Sequence, residues 1–308
     1  MTSPARSEVV LITGCSSGIG RAAAISLNAA GFAVYATARH PGDLADLAGR
    51  GIHTLSLDVT DETSMAQAVS AVEADAGAIG VLINNAGYGL YGPVEQQPMA
   101  EIRRQFETNF FGLVRLTQLV LPGMRRRRRG RILNVSSMGG RVTLPGGAFY
   151  HASKYAVEAL SDALRMEVSQ FGIDVVLIEP GPVRTPWNDV AAASLTTAVP
   201  SAAEAGRDSA GARPADAVAD GGAGGRDPYA AYKAAVGASF ATAQTGFFAR
   251  LGSNAEDIAK VITQAVTAQR PRTRYLINPV AKGVVAMNRL LPGRAYDAVV
   301  RRQYGLPR

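Results

Sequence analysis

Along the first 185 residues, short runs in which nearly every position is apolar alternate with longer stretches whose apolar positions recur every three or four residues. Runs of the first kind read as strands buried on both faces, and stretches of the second kind as helices packed on one side. The apolar runs fall at residues 8–13, 32–37, 52–57, 80–83, 131–135 and 173–179. Between them, 21–30, 61–76 and 99–124 carry helical spacing, with Asp61 placed to cap its helix. Strand and helix in this order predict an α/β fold, a doubly wound parallel sheet flanked by helices.

Residues 188–228 break the pattern. Alanine, glycine, aspartate and arginine dominate there without one aromatic residue, so the segment cannot bury much surface. It predicts an enlarged, partly disordered insertion between Trp187 and Tyr229. Helical spacing returns over 254–269, with Ser253 as the cap, and 273–278 reads as a final strand. In the tail, Val280, Val284, Met287 and Leu291 share a helical face, while Lys282, Arg289, Arg294, Arg301 and Arg302 make it basic. Such a stripe is expected to pack on its own domain or on a second copy, with peripheral membrane contact as the alternative. The chain thus divides into a core at 1–187, an insertion at 188–228, and 229–308 completing the same domain.

Composition narrows the partners. With 308 residues and 47% hydrophobic content the chain can bury a sizeable core, and its net charge is +7. Part of that excess is the unbroken arginine run 125–129, followed by Arg131. At the end of a helix these cations complement the C-terminal dipole, so no nucleic-acid partner is expected. The single cysteine, Cys15, excludes an intramolecular disulfide, and no apolar stretch is long enough to span a bilayer. A cytoplasmic location is expected, and no metal site.

Candidate chemistry sits where apolar runs end. Gly14, Gly18 and Gly20 follow the first strand and open a helix, an arrangement that lets backbone approach a pyrophosphate. Gly14, Ser16 and Gly18 also match a hydrolase nucleophile elbow, but only thirteen residues precede them and no oxyanion loop does, so that reading is rejected. At the end of the second strand, Ala38 leaves room and Arg39 offers charge for a 2′-phosphate, which predicts NADP(H) over NAD(H). Asp58 is placed to receive an adenine amino group, and Asn84, Asn85, Ala86 and Gly87 end the fourth strand at the ligand edge of the sheet. Tyr150 and Lys154 are four residues apart on one helical face, where an ammonium is expected to lower the phenol into a useful acid/base range. Ser137, at the end of the 131–135 strand, brings a hydroxyl toward the same point. Asn109 falls inside the 99–124 helix, where an asparagine ordinarily faces solvent.

Taken together, Thr13 with the three glycines, the stretch from Asn84 to Gly87, Ser137, Tyr150 with Lys154, and Pro180 with Gly181 resemble the classical short-chain dehydrogenase/reductase family over residues 8–185. The resemblance implies a Rossmann-type fold, NAD(P) and hydride transfer, with a catalytic tetrad of Asn109, Ser137, Tyr150 and Lys154. Ser137 would polarise a substrate carbonyl, Tyr150 exchange the proton, Lys154 bind the nicotinamide ribose, and Asn109 hold a water that relays protons to Lys154. Nucleotide contacts implied in the same way are Ser16, Ser17, Ile19, Val59, Asn85, Ala86, Gly87, Pro180, Gly181, Val183 and Thr185. The insertion after Trp187 would belong to a substrate lid. The overall wording is similar to the subgroup acting on steroids, retinoids and other apolar carbonyls, which predicts a small-molecule alcohol or carbonyl substrate and a homo-oligomer. A cofactor-binding regulator without redox chemistry is the alternative, and the intact tetrad argues against it.

Overall fold

The computed structural model describes residues 8–195, 227–244 and 251–306. Its strands are β1 (Val9–Ile12), β2 (Ala33–Ala38), β3 (His53–Ser56), β4 (Val81–Asn84), β5 (Gly130–Val135), β6 (Ile173–Pro180), β7 (Val183–Arg184), β8 (Ser253–Asn254) and β9 (Arg274–Ile277). Seven of them form one parallel sheet in the order β3-β2-β1-β4-β5-β6-β9, while β7 and β8 pair separately. The chain winds outward from β1 to β3, returns to β4 on the other side of β1, and winds outward again. The switch point between β1 and β4 is where open α/β sheets leave a crevice at the strand ends.

Eleven helices are described: α1 (Gly18–Ala29), α2 (Ala45–Ala48), α3 (Glu62–Ala76), α4 (Met99–Phe106), α5 (Gly112–Arg127), α6 (Ala148–Val168), α7 (Trp187–Ser194), α8 (Ala230–Gln244), α9 (Ala255–Thr267), α10 (Pro279–Leu290) and α11 (Gly293–Tyr304). They sandwich the sheet. Val10 and Ile12 of β1 pack with Ala23 and Leu27 of α1 and Ile258 and Ile262 of α9 on one face. Val9 and Leu11 pack with Met65 and Val69 of α3 and Leu116 and Val120 of α5 on the other. That period of two, with both faces apolar, is why the strands read as continuous apolar runs. Across the sheet, Asn84 of β4 donates to Asn134 of β5 at 2.9 Å, and Asn134 donates to Ser161 of α6 at 2.9 Å. This buried polar ladder ties both central strands to the helix that carries Tyr150.

Two expectations change and two are sharpened. The 99–124 helix is interrupted by a π turn at Glu107–Phe111, and Asn109 within it is buried rather than turned to solvent. The cap of α9 is Asn254, not Ser253: its side chain accepts from the Asp257 N–H while Asp257 accepts from the Asn254 N–H, and Ser253 is held in the β7–β8 pair. Of the segment read as a partly disordered insertion, residues 188–194 are helical in α7, because Asn188 ties its side chain back to the Val183 carbonyl and Ala191 is buried; residues 196–226 lie outside the described residues. The apolar stripe of the tail faces the protein's own cleft: Val280, Val284 and Met287 of α10 line it.

The arginine run is partly spent on structure. Arg127 and Arg129 pair with Glu8, Arg128 donates to the Gln170 carbonyl, and Arg131 pairs with Asp174 at 2.8 Å. Among the described residues no helix is long and apolar enough to cross a membrane.

Candidate active site

A cleft of about 1420 Å³ opens along the carboxyl ends of the strands. Of the residues singled out from the sequence, it gathers Gly14, Ser16, Ser17, Gly18 and Ile19 from the first turn, Arg39 after β2, and Asp58 and Val59 after β3. Asn85, Ala86 and Gly87 after β4, Ser137 after β5, Tyr150 and Lys154 of α6, and Pro180, Gly181, Val183 and Thr185 after β6 complete that wall. Gly20 and Asn109 do not line it.

The glycines answer mainly to the protein's own crowding. Gly14 holds φ +71, and a Cβ there would lie 2.9 Å from the Ala86 Cα. A Cβ on Gly20 would lie 2.4 Å from the Gly14 carbonyl oxygen and 2.5 Å from Asn85 Nδ2. Asn85 is fixed because its amide donates to the Thr13 and Gly14 carbonyls at 2.9 and 3.0 Å. Gly20 therefore lets the turn fold back on the loop after β4. Ser17 caps α1 without a side-chain bond to the first-turn N–H groups, and no acidic residue stands in that turn. Open donors at a helix N-terminus suit a phosphate.

At the other end of the cleft, α6 places Tyr150 and Lys154 one turn apart. The Ser137 hydroxyl accepts from the Gly139 N–H at 2.9 Å, which leaves its own proton to reach the Tyr150 phenol. Lys154 Nζ donates to the Val135 carbonyl at 2.8 Å and lies 6.0 Å from the centre of the Tyr150 ring. Burial dominates both groups. It pushes the Tyr150 phenol up to about 12, against the lowering pull of Ser137. It pushes Lys154 down to about 8, opposed by the charge of Glu158. The expectation that Lys154 brings the phenol down toward neutrality thus fails in the free protein, because its ammonium is turned to a backbone carbonyl and both groups are stripped of water. Tyr150 is accordingly a neutral phenol in the free protein.

Asn109 works behind this wall. Its Oδ1 accepts from the Tyr88 N–H at 3.0 Å, and its Nδ2 donates to the Tyr88 carbonyl at 2.9 Å and to Ser153 Oγ at 3.1 Å. Ser153 in turn donates to the Tyr150 carbonyl at 2.7 Å. The π turn puts the amide where an α-helical turn would carry it past, so Asn109 joins the loop after β4 to the first turn of α6. Sequence reading overlooked Ser153 and also His151. The buried His151 ring sits 2.9 Å from the Gly139 carbonyl through Nδ1 and accepts the Leu144 N–H through Nε2 at 3.1 Å. Burial holds its pKa below the ordinary value, so a neutral ring pins the loop between Ser137 and α6. A histidine adjoining Tyr150 was the available signal.

Around the phenol the walls are apolar. Tyr91 and Trp187 lie with ring centres 5.9 and 5.1 Å from Tyr150, and Val236, Phe240 and Tyr304 join the same cluster. Helices distant in sequence thereby enclose one pocket. A hydroxyl, a phenol and an ammonium so gathered can protonate or deprotonate an oxygen at an apolar surface.

The family model for short chain dehydrogenase matches residues 8–195. The chain belongs to that family. An uncharacterized oxidoreductase of Escherichia coli, YbbO, is 34% identical over 98% of this chain and 97% of its own. Retinol dehydrogenase 8 of Bos taurus is 34% identical over 92% of this chain and 86% of its own. The solved structure of a short-chain dehydrogenase from Streptomyces avermitilis superposes with a TM-score of 0.73 at 30% identity, covering 98% of each chain. Other solved structures that match at 28% to 35% identity hold NADP, NADPH or NADH.

As a short-chain dehydrogenase the protein is an oxidoreductase using a nicotinamide dinucleotide, and the open α1 N-terminus fits its phosphates. Gly20→Ala is expected to lower Tm by about 5 °C, since forcing a methyl against backbone costs about 1–3 kcal/mol. Dinucleotide affinity should fall at least about tenfold as the turn is displaced. Thermal melts and fluorescence titration with NADPH and NADH measure both effects.

Proposed function

We propose that this short-chain dehydrogenase is an NADP(H)-dependent enzyme that interconverts an alcohol and a ketone or aldehyde on an apolar, steroid-, retinoid- or lipid-like substrate. The observation that carries the reading is the convergence of the Ser137 hydroxyl, the Tyr150 phenol and the Lys154 ammonium on an aromatic-walled cleft. The bound dinucleotide supplies or accepts the hydride. Ser137 donates a hydrogen bond to the substrate oxygen, and Tyr150, kept neutral by burial in the free protein, gives its proton to that oxygen in reduction. Lys154 holds the nicotinamide ribose and steadies the phenolate left behind. Asn109 keeps Tyr88 and the start of α6 in register, and its water relay to Lys154 belongs to the same proposal.

Gly14, Ser16, Ser17, Gly18 and Ile19 would hold the pyrophosphate, Asp58 and Val59 the adenine, and Thr185 the carboxamide. Asp58 keeps one oxygen on Thr60, whose N–H and hydroxyl it accepts at 2.9 and 2.7 Å. NADP preference rests on Ala38, buried at the strand end, and on the exposed Arg39, whose guanidinium forms no ion pair among the described residues. A charge-assisted contact to a 2′-phosphate adds affinity that NADH cannot share. Arg39→Ala is expected to raise KM for NADPH at least about tenfold and leave KM for NADH within about twofold.

The substrate preference rests on Tyr91, Trp187, Phe240, Val284 and Met287, which give the cleft a wall without fixed charge. A panel of carbonyls and alcohols, read by nicotinamide absorbance with each dinucleotide, tests the whole reading. Turnover of apolar carbonyls with NADPH supports it. No turnover of any carbonyl or alcohol with either dinucleotide, in protein shown to bind one, rejects it in favour of a binding role.

A further inference from the structure

One turn beyond Lys154 on α6 lies Glu158, its side chain 8% exposed. Its Oε2 is 3.2 Å from Arg274 Nε of β9, and the same nitrogen is 3.1 Å from Oε1 of Glu179, a wholly buried residue of β6. A single N–H thus serves two carboxylates. The rest of Arg274 is engaged by Asp162, which also meets Arg165, and Arg141 Nη1 holds both oxygens of Glu179 at 3.1 and 3.3 Å. Glu158 Oε1 is out of water without a well-formed hydrogen bond, although the Ser136 hydroxyl is close enough to favour its charge.

The charged and titratable groups facing Glu158 are Lys154, Tyr155 and Asp162 on its own helix, Glu179 on β6, Arg274 on β9, and Arg141 after β5. Two buried carboxylates at one donor resist joint ionisation, so the pair holds a proton more readily than an isolated acid does. Glu179 pairs with Arg141 as well as with Arg274, whereas Arg274 is the cation paired with Glu158. Burial and the Glu179 charge push the Glu158 carboxyl well above the ordinary carboxylate range.

We propose that Glu158 is a positioning residue: a proton-exchanging carboxyl which, coupled to Glu179 through Arg274, sets how firmly Lys154 keeps its charge beside Tyr150. The catalytic consequence rests on the reading of Tyr150 and Lys154 given above. When Glu158 is ionised, its charge lies one turn from the ammonium and supports it. When it takes up a proton, that support goes.

The chain contains four lysines, so [15N]lysine-labelled protein gives a sparse side-chain spectrum in which Lys154 is assigned by its absence from Lys154→Arg. Titration of the free protein should place the Lys154 midpoint near 8. In Glu158→Gln that midpoint is expected to fall by about one pH unit, and Glu158→Asp, which keeps the charge, should retain most of the wild-type value. If Glu158→Gln fails to fold, a smaller downward shift in Glu158→Asp decides the point. The kcat–pH profile of the same variants on a substrate from the panel should move in parallel. An unchanged Lys154 midpoint overturns the proposal, as does a shifted midpoint with an unmoved profile. The titration needs neither dinucleotide nor substrate, so failure of the redox reading leaves it interpretable.

Discussion

Tyr150→Phe is expected to lower kcat by about 10³-fold or more while KM for the dinucleotide stays within a few-fold and Tm within a few degrees. A positioned acid contributes about 10²–10⁴-fold, and this phenol is hydrogen-bonded to Ser137. Its ring is packed among Tyr91, His151 and Trp187, so phenylalanine keeps the shape of the cluster and loses one oxygen. The loss should therefore be chemical rather than structural. Steady-state kinetics on the best carbonyl of the panel, with a melt of the same preparation, separates the two. A variant keeping a tenth of the rate would show that the proton comes from elsewhere.

Lys154→Met should cost about 10²-fold or more in kcat without lowering the melting temperature at neutral pH. In the folded chain the ammonium is brought from its ordinary 10.5 to about 8 by burial. The unfolded chain binds that proton more tightly, so the buried charge destabilises the fold fully below pH 8, and the penalty fades as pH rises from 8 to 10.5. At about 1.4 kcal/mol per pH unit the cost approaches about 3 kcal/mol. Methionine removes it but leaves the Val135 carbonyl without its donor, an offset of about 1–2 kcal/mol. The variant should accordingly melt at or above wild type at pH 7, with the difference shrinking toward pH 10. Melting curves across that range check the sign, and a variant less stable at pH 7 than at pH 10 relative to wild type contradicts it. Such a lysine is retained at a cost in stability, as a functional group held in a water-poor site would be.

Most of the sheet was legible because a strand buried on both faces has no polar positions to disguise it. The β1 to β6 runs each stand within a residue or two of their predicted bounds. The asparagine at 109 was misjudged on its local reading because a π turn is a tertiary accommodation: nothing in the spacing of 99–124 announces that Tyr88 and Ser153 will bracket its amide. The same holds for the tail, whose apolar stripe was visible but whose partner was not.

What the order of residues determined by itself was the alternation of elements, the glycine turn, and the family to which Ser137, Tyr150 and Lys154 belong. These are local regularities, set by periodicity and by short motifs that the backbone must satisfy wherever it lies. Only the folded structure decided the charge states and the enclosure. Burial outweighs Lys154 at the phenol, Glu158 meets Glu179 across 21 residues of chain, and α10 and α11 return to wall the cleft opened by β1 and β4. Desolvation and shared donors depend on what surrounds a group in space, and neighbours in sequence do not reveal that.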